Sequence, residues 1–283
     1  MAGNVLACGR AGNARRAAPF TPQPKLWAER GLHAAWLGHS TVLLKIDGFT
    51  ILTDPILGAR CGVRMGPVTV GLRRLVAPAL NRAQLPHVDL ILLSHAHFDH
   101  FDLATLRSLE REDTAVVTAK YTSDLLRVRR YQSVTEVGWG ERIRAGPLSI
   151  TGIPVKHWGA RVRSDVHRGY NGYLIENGRR RVVFGGDTAF TDAFKSVRTK
   201  KPVDLAILPV GAYNPWIYAH CNPEQAWRMG VDCGAEHLLP VHHQTFRLSR
   251  EPYLEPVERF LAAAGRRSDR VIATRVGHEW SLA

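Results

Sequence analysis

Ser94-His95-Ala96-His97-Phe98-Asp99-His100 sets three imidazoles and one carboxylate directly behind the apolar run Val88-Asp89-Leu90-Ile91-Leu92-Leu93. Such a run predicts a buried strand, so the cluster lies at the mouth of a sheet. His95 and His97, two apart, point to the same side of an extended segment. Asp99 and His100 lie beyond a turn and can converge from another direction. One cluster can therefore serve two metal ions, and further candidate donors follow downstream.

A chain of 283 residues with 45% hydrophobic content can bury a sizeable core. No linker, low-complexity run or fixed-period repeat divides it, so one domain is expected over residues 31–283, entered by a proline-containing arm over 1–30. The formal charge of +13 favours acidic partners such as phosphorylated substrates, nucleic acid or anionic lipid. The basic residues include Arg73-Arg74, Arg127 to Arg130, Arg179 to Arg181 and Arg266-Arg267, each read as a solvated face. Cys8, Cys61, Cys221 and Cys233 form no C-x-x-C pair, which suggests neither a zinc ribbon nor a disulfide framework and fits a reduced, cytoplasmic setting. Val5 to Cys8 lacks the apolar segment of a lipoprotein leader, and Arg15-Arg16 lacks that of a twin-arginine signal. No run reaches the roughly 18 apolar residues of a membrane span, which leaves peripheral membrane contact open.

A β-hairpin is predicted between Trp36 and Ile56, with strands 41–46 and 49–53 around Asp47-Gly48. Residues 57–80, rich in Gly, Pro and Arg, read as a long loop bordering the site. Helices are expected over Leu103 to Leu109, over Tyr121 to Val128, from Asn222-Pro223-Glu224 onward, and over Glu255 to Ala263. Short β segments are expected at Ala115 to Thr118 and between Ser133 and Val155, and a second hairpin from Tyr173 to Phe184. Later strands fall at Val203 to Val210, Leu238 to Val241 and a closing one at Val271 to Val276. Strands dominate early and helices fall between them later, which implies packed sheets covered by helices.

Five motifs resemble the metallo-β-lactamase fold superfamily: Asp54 in Leu52-Thr53-Asp54-Pro55, the 95–100 cluster, His157, Asp187 in Gly186-Asp187-Thr188, and His242. Trp36-Leu37-Gly38-His39-Ser40-Thr41, His220-Cys221-Asn222-Pro223-Glu224 and His242-His243-Gln244-Thr245-Phe246 resemble its branch of zinc-dependent hydrolases that includes N-acyl-phosphatidylethanolamine phospholipase D. The resemblance spans residues 36–256 and implies an αββα sandwich, two packed mixed β-sheets flanked by helices. It also implies a dinuclear zinc hydrolase using a metal-bridging hydroxide, with manganese or iron as alternative metals.

By that resemblance His95, His97 and His157 would hold one zinc ion, Asp99, His100 and His242 the other, and Asp187 would bridge them. Asp99 and His220 are the expected catalytic residues, and Asp54, His39 and His243 the expected neighbours in the second shell or pocket. Arg161 and Asp165 match an Arg-x-x-x-Asp pattern of the branch that a surface ion pair explains as well. The chain departs from the branch at Gln244, where relatives often have glycine, at Phe98, where tyrosine is common, and in lacking a Leu-Trp pair after Asp165. A phosphodiester of a phospholipid-like molecule is the expected substrate, met by a cytoplasmic or membrane-peripheral enzyme. Lactone or β-lactam hydrolysis on the same centre, nucleic-acid processing and a non-catalytic binding protein are the alternatives.

Overall fold

The computed structural model describes residues 16–66, 68–126 and 130–283. Residues 1–15 of the expected arm, with Val5 to Cys8 and Arg15, and Arg127 to Arg129 of one basic group lie outside them.

The strands are β1 (Leu32–Gly38), β2 (Thr41–Ile46), β3 (Phe49–Thr53), β4 (Arg60–Met65), β5 (Val68–Arg73), β6 (Leu90–Leu92), β7 (Ala115–Ala119) and β8 (Ser133–Val137). They continue with β9 (Arg142–Ala145), β10 (Leu148–Ile153), β11 (Gly172–Glu176), β12 (Arg181–Phe184), β13 (Val203–Pro209), β14 (Ala235–Val241) and β15 (Glu279–Leu282). Among the described residues, three α-helices intervene: α1 (Leu103–Ser108), α2 (Pro223–Asp232) and α3 (Glu255–Ala264). A seven-stranded sheet runs β15-β1-β2-β3-β6-β7-β8, and a six-stranded sheet runs β14-β13-β12-β11-β10-β9. Both are mixed: β3, β6, β7 and β8 pair in parallel, as do β12, β13 and β14, while the remaining neighbours are antiparallel.

Strand alternation explains how the sheets stack. In β12 and β13 the side chains of Val182, Phe184, Leu205 and Ile207 join Leu43, Ile51 and Ile91 of the first sheet in one core. Their neighbours Val183, Ala206 and Leu208 face the other way and join Ala226, Met229 and Phe260 of α2 and α3. Strands β12 and β13 are thus buried on both faces, which is why β13 is apolar without a break from Leu205 to Pro209. Helix α2 begins where its sequence directs: Asn222 accepts from Gln225 N–H, the Gln225 side chain accepts from Asn222 N–H, and Pro223 occupies the first turn.

Several expectations are corrected. Residues 57–80 are not a plain loop, because β4 and β5 pair with each other over six positions. The closing strand is β15, which adds to the edge of β1, whereas Val271 makes only an isolated bridge to Leu238. Of the helix expected at Tyr121 to Val128, the described part is a 3-10 turn at Ser123–Leu125. Strand β6 is only three residues long, so His95 and His97 lie on irregular chain beyond it. Arg74 and Arg181 are buried rather than solvated. Arg74 donates to the carbonyls of Gly58, Ile56 and Val76, and Arg181 to those of Lys201 and Val197. Among the described residues, no helix is long and apolar enough to cross a membrane.

Candidate metal centre

The site lies where strand ends of both sheets meet. The chain leaving β3 carries Asp54, that leaving β6 carries His95 to His100, and His157 follows β10. Asp187 follows β12 and His242 follows β14. The second sheet grips the ligand loop directly: Asn171 N–H donates to Ser94 C=O (2.9 Å) and the Tyr173 hydroxyl to Leu93 C=O (2.9 Å). The backbone is strained here. His39, Asp54, His242 and Gln244 all have positive φ, a conformation that side-chain-bearing residues seldom adopt. At Gln244, where φ is 57°, glycine would be accommodated without that strain. Gly186 is required outright, since at φ 57° an added Cβ would lie 2.6 Å from Asn171 O.

Two donor sets are brought together. In the first, His97 Nδ1 lies 2.8 Å from His95 Nε2 and 3.2 Å from His157 Nε2. His157 Nδ1–H donates to Ala219 C=O (3.0 Å), and His95 Nδ1 meets Ser94 Oγ (2.8 Å), so both rings turn their Nε2 lone pairs inward. Three ring nitrogens then face one another with one proton at most between them. Burial, with nearby imidazoles adding to it, holds His95 well below the usual histidine range, and burial brings His157 to about 3 although Asp187 opposes this.

In the second set, Asp99, His100 and His242 converge together with His39. Asp99 Oδ2 lies 2.8 Å from His39 Nε2 and 3.5 Å from Nε2 of both His100 and His242. Asp187 reaches across both sets: its Oδ2 is 3.1 Å from His242 Nε2, 3.2 Å from His100 Nε2 and 3.9 Å from His157 Nε2. Burial disfavours charge on all of these groups, yet the opposed signs prevail. His100 is pushed well above its ordinary value by Asp187 and Asp99, His242 is raised to about 9 chiefly by Asp187, and both carboxyls stay well below the carboxylate range.

These residues fit metal ions. His100 Nε2, His242 Nε2 and Asp187 Oδ1 are buried without a hydrogen-bond partner, despite the short approaches just given. Two ionised carboxylates call for positive charge there, which dications would supply in place of protons on imidazole.

Asp54 ties the sets together. Its carboxylate accepts from Ser94 N–H (2.7 Å), the Ser94 hydroxyl (2.5 Å) and His100 Nδ1–H (2.6 Å), and that same hydroxyl meets His95. His220, carried on the turn after Trp216, has its buried Nδ1 3.7 Å from Asp187 Oδ2 with no hydrogen bond. His243 faces away: it stacks on Trp36 at 4.5 Å, its Nε2 meets Pro240 C=O, and it lines a cavity behind His242.

Arg161 and Asp165 do not pair. Asp165 holds Arg168 (2.6 Å), while Arg161 donates from one nitrogen to the carbonyls of Ala96 (2.9 Å) and Phe101 (2.8 Å) and lies over the Phe98 ring at 4.0 Å. Arg161 therefore clasps both ends of the ligand loop. Its pattern with Asp165 drew attention to the right arginine for the wrong partner. Ser94 gave no signal beyond its adjacency to the cluster. Trp158, 45% exposed, places its ring against His157 (4.4 Å) and His97 (4.7 Å) and forms an apolar wall of the opening.

The beta-lactamase superfamily domain matches this chain over residues 50–243. An uncharacterized protein of Mycobacterium tuberculosis is 37% identical over 241 residues, which cover 82% of this chain but 64% of that protein's length. The N-acyl-phosphatidylethanolamine-hydrolyzing phospholipase D 1 of Caenorhabditis elegans is 31% identical over 260 residues, covering 86% of this chain and 72% of that one. Among solved structures, the isothiocyanate hydrolase from Delia radicum gut bacteria superposes with a TM-score of 0.70 over 89% of this chain and 99% of that one. At 18% identity, that likeness concerns the fold alone.

Proposed function

This chain belongs to the beta-lactamase superfamily domain family, and from that membership we propose a dinuclear zinc enzyme that cleaves a phosphodiester of a phospholipid-like molecule. It is a metal-dependent hydrolase resembling the N-acyl-phosphatidylethanolamine phospholipases D. The observation that carries the two-metal reading is the position of Asp187 Oδ2 between His242, His100 and His157, one carboxylate oxygen common to two donor sets. We assign His95, His97 and His157 to one ion, Asp99, His100 and His242 to the other, and Asp187 to both. The hydrolase domain is taken as residues 31–283, with 1–30 as an arm. Bound there, the ions would activate a water near neutral pH and polarise the scissile phosphoryl group.

The protein's own groups set the rest. Asp54 and Ser94 fix the tautomers of His100 and His95 so that ring lone pairs face the centre. Asp99 stays ionised, and its side chain is 14% exposed toward the opening, where its carboxylate would orient the attacking water. Burial lowers His220 to about 4, so its ring is neutral at pH 7 and suits a hydrogen bond to the substrate better than proton delivery. Trp158 offers its face to an apolar part of the substrate. The charge of +13 and the relationship to the nematode phospholipase support an anionic, lipid-like diester.

The test pairs metal content by mass spectrometry with hydrolysis of a bis-aryl phosphodiester before and after chelation. About two metals per chain and turnover abolished by chelator, then restored by zinc, is the expected result. A fully metallated protein that leaves the diester intact while opening a lactone would refute the substrate class. Fewer than about half a metal per chain, with no rescue, would refute the centre.

A further inference from the structure

We propose that the β4–β5 hairpin is an insertion element that docks the molecule on an anionic phospholipid bilayer. In the observed register, Cys61 lies opposite Leu72, Val63 opposite Val70, and Met65 opposite Val68. Residues directly opposite share a face, so all six stand on one side of the ribbon. Arg60 opposite Arg73 and Arg64 opposite Thr69 stand on the other. Cys61 roots the apolar stripe in the molecule, buried with Ile56 and Phe246. Beyond it the stripe runs out into solvent: Val63, Met65, Val68, Val70 and Leu72 are between 43% and 62% exposed.

Among the described residues, nothing covers that stripe. The hairpin pairs with neither large sheet, and isolated two-stranded ribbons are marginal unless something covers an apolar face. A contiguous set of exposed apolar side chains marks an interaction surface. Its midpoint is a Gly62–Gly71 pair at φ 149° and 155°, where an added Cβ would lie about 2 Å from the carbonyl oxygen across the ribbon. The two strands therefore cross closely, and the blade is thin.

Charge identifies the occupant. From residue 55 to residue 88 the chain has five arginines, of which Arg74 is buried in the fold, and no acidic residue. Apolar side chains flanked by arginine fit the boundary between acyl chains and anionic headgroups, where long cationic side chains reach back to phosphate. A second copy seated on the apolar face would cover the stripe but leave the arginines of the opposite face unanswered, since the segment carries no carboxylate. The hairpin is also next to the centre: Gly62, Val63 and Thr69 line a cavity of about 430 Å³ together with Phe98 and Arg161 of the ligand-loop clasp. Delivery of a lipid diester to that loop rests on the phosphodiesterase reading; the membrane contact does not.

The experiment is sedimentation of the full metallated chain with vesicles of phosphatidylcholine, with and without phosphatidylglycerol, in the absence of turnover. Wild type should partition onto the anionic vesicles with strong salt dependence. M65S/V68S/V70S should lose about tenfold or more in partitioning while hydrolysing the soluble bis-aryl diester normally. R64Q, which keeps the apolar face, should bind more weakly with a shallower salt dependence. Equal partitioning of wild type and M65S/V68S/V70S, or no wild-type binding to either vesicle, overturns the proposal. So does a wild-type dimer that M65S/V68S/V70S converts to monomer, which would make the face a contact between copies. A protein that binds vesicles but never hydrolyses a diester keeps its hairpin assignment and loses only its substrate.

Discussion

At the scale of single residues, the centre depends on groups that touch no substrate. Arg161 spans the ligand loop by holding the carbonyls of Ala96 and Phe101, five residues apart, with its side chain packed on Phe98. Arg161→Ala should weaken zinc binding about 10- to 100-fold, the usual effect of losing a second-shell support. Arg161→Lys should recover part of that, since one ammonium nitrogen can still donate to carbonyl oxygen but lacks the planar guanidinium that packs on Phe98. Competition with a chromophoric chelator measures this directly, and equal affinities for wild type and Arg161→Ala would show that the clasp does not position the donors. His243 illustrates the opposite case. It adjoins a proposed ligand in sequence, yet its ring belongs to Trp36 and Pro240, because two successive residues leaving a strand face different ways.

At the scale of elements, Glu136 on β8 gathers the backbone N–H groups of Tyr121, Thr122 and Ser123 at 2.9 to 3.0 Å and pins the turn after β7. Burial raises its pKa, but these donors outweigh burial and leave it below its ordinary value. Because the folded value is the lower one, the stabilisation is complete above the unfolded pKa and is lost as pH falls through the folded one. Glu136→Gln should cost about 1 kcal/mol near neutrality and nearly nothing at a pH acid enough to protonate Glu136 in the folded protein, read from urea midpoints at the two pH values. An equal cost at both would mean that the charge is immaterial. Elements with local signatures were legible in the sequence: the hairpin around Asp47-Gly48 and the box at Asn222 and Gln225 each carry their own turn or cap chemistry. The β4–β5 ribbon was not, since its Gly, Pro and Arg content resembles a loop and its pairing is with itself. Nor was β15, whose partner among the described residues, β1, lies about 250 residues earlier in the chain. The donors at 95–100 could be read because they are contiguous, whereas the contact of Asp187 with both sets depends on long-range sheet packing.

At the scale of the whole molecule, metal and fold are linked. A ligand that binds only the folded chain adds about 4.1 kcal/mol of stability at a thousandfold excess over its Kd. Chelation should therefore lower the thermal midpoint by several degrees, with zinc restoring it; an unchanged midpoint in a protein shown to have lost its metal would mean that the centre contributes nothing to holding the sheets together. Each donor set takes members from the chain leaving the first sheet, at His95 to His100, and members from the chain leaving the second, at His157 or His242. Neither half of the polypeptide can complete a set by itself. On the two-metal reading, turnover would thus be a conjunction of two folding events: a partly folded molecule with one sheet in place would be silent rather than sluggish, and specific activity would count the fraction of chains in which both halves have met.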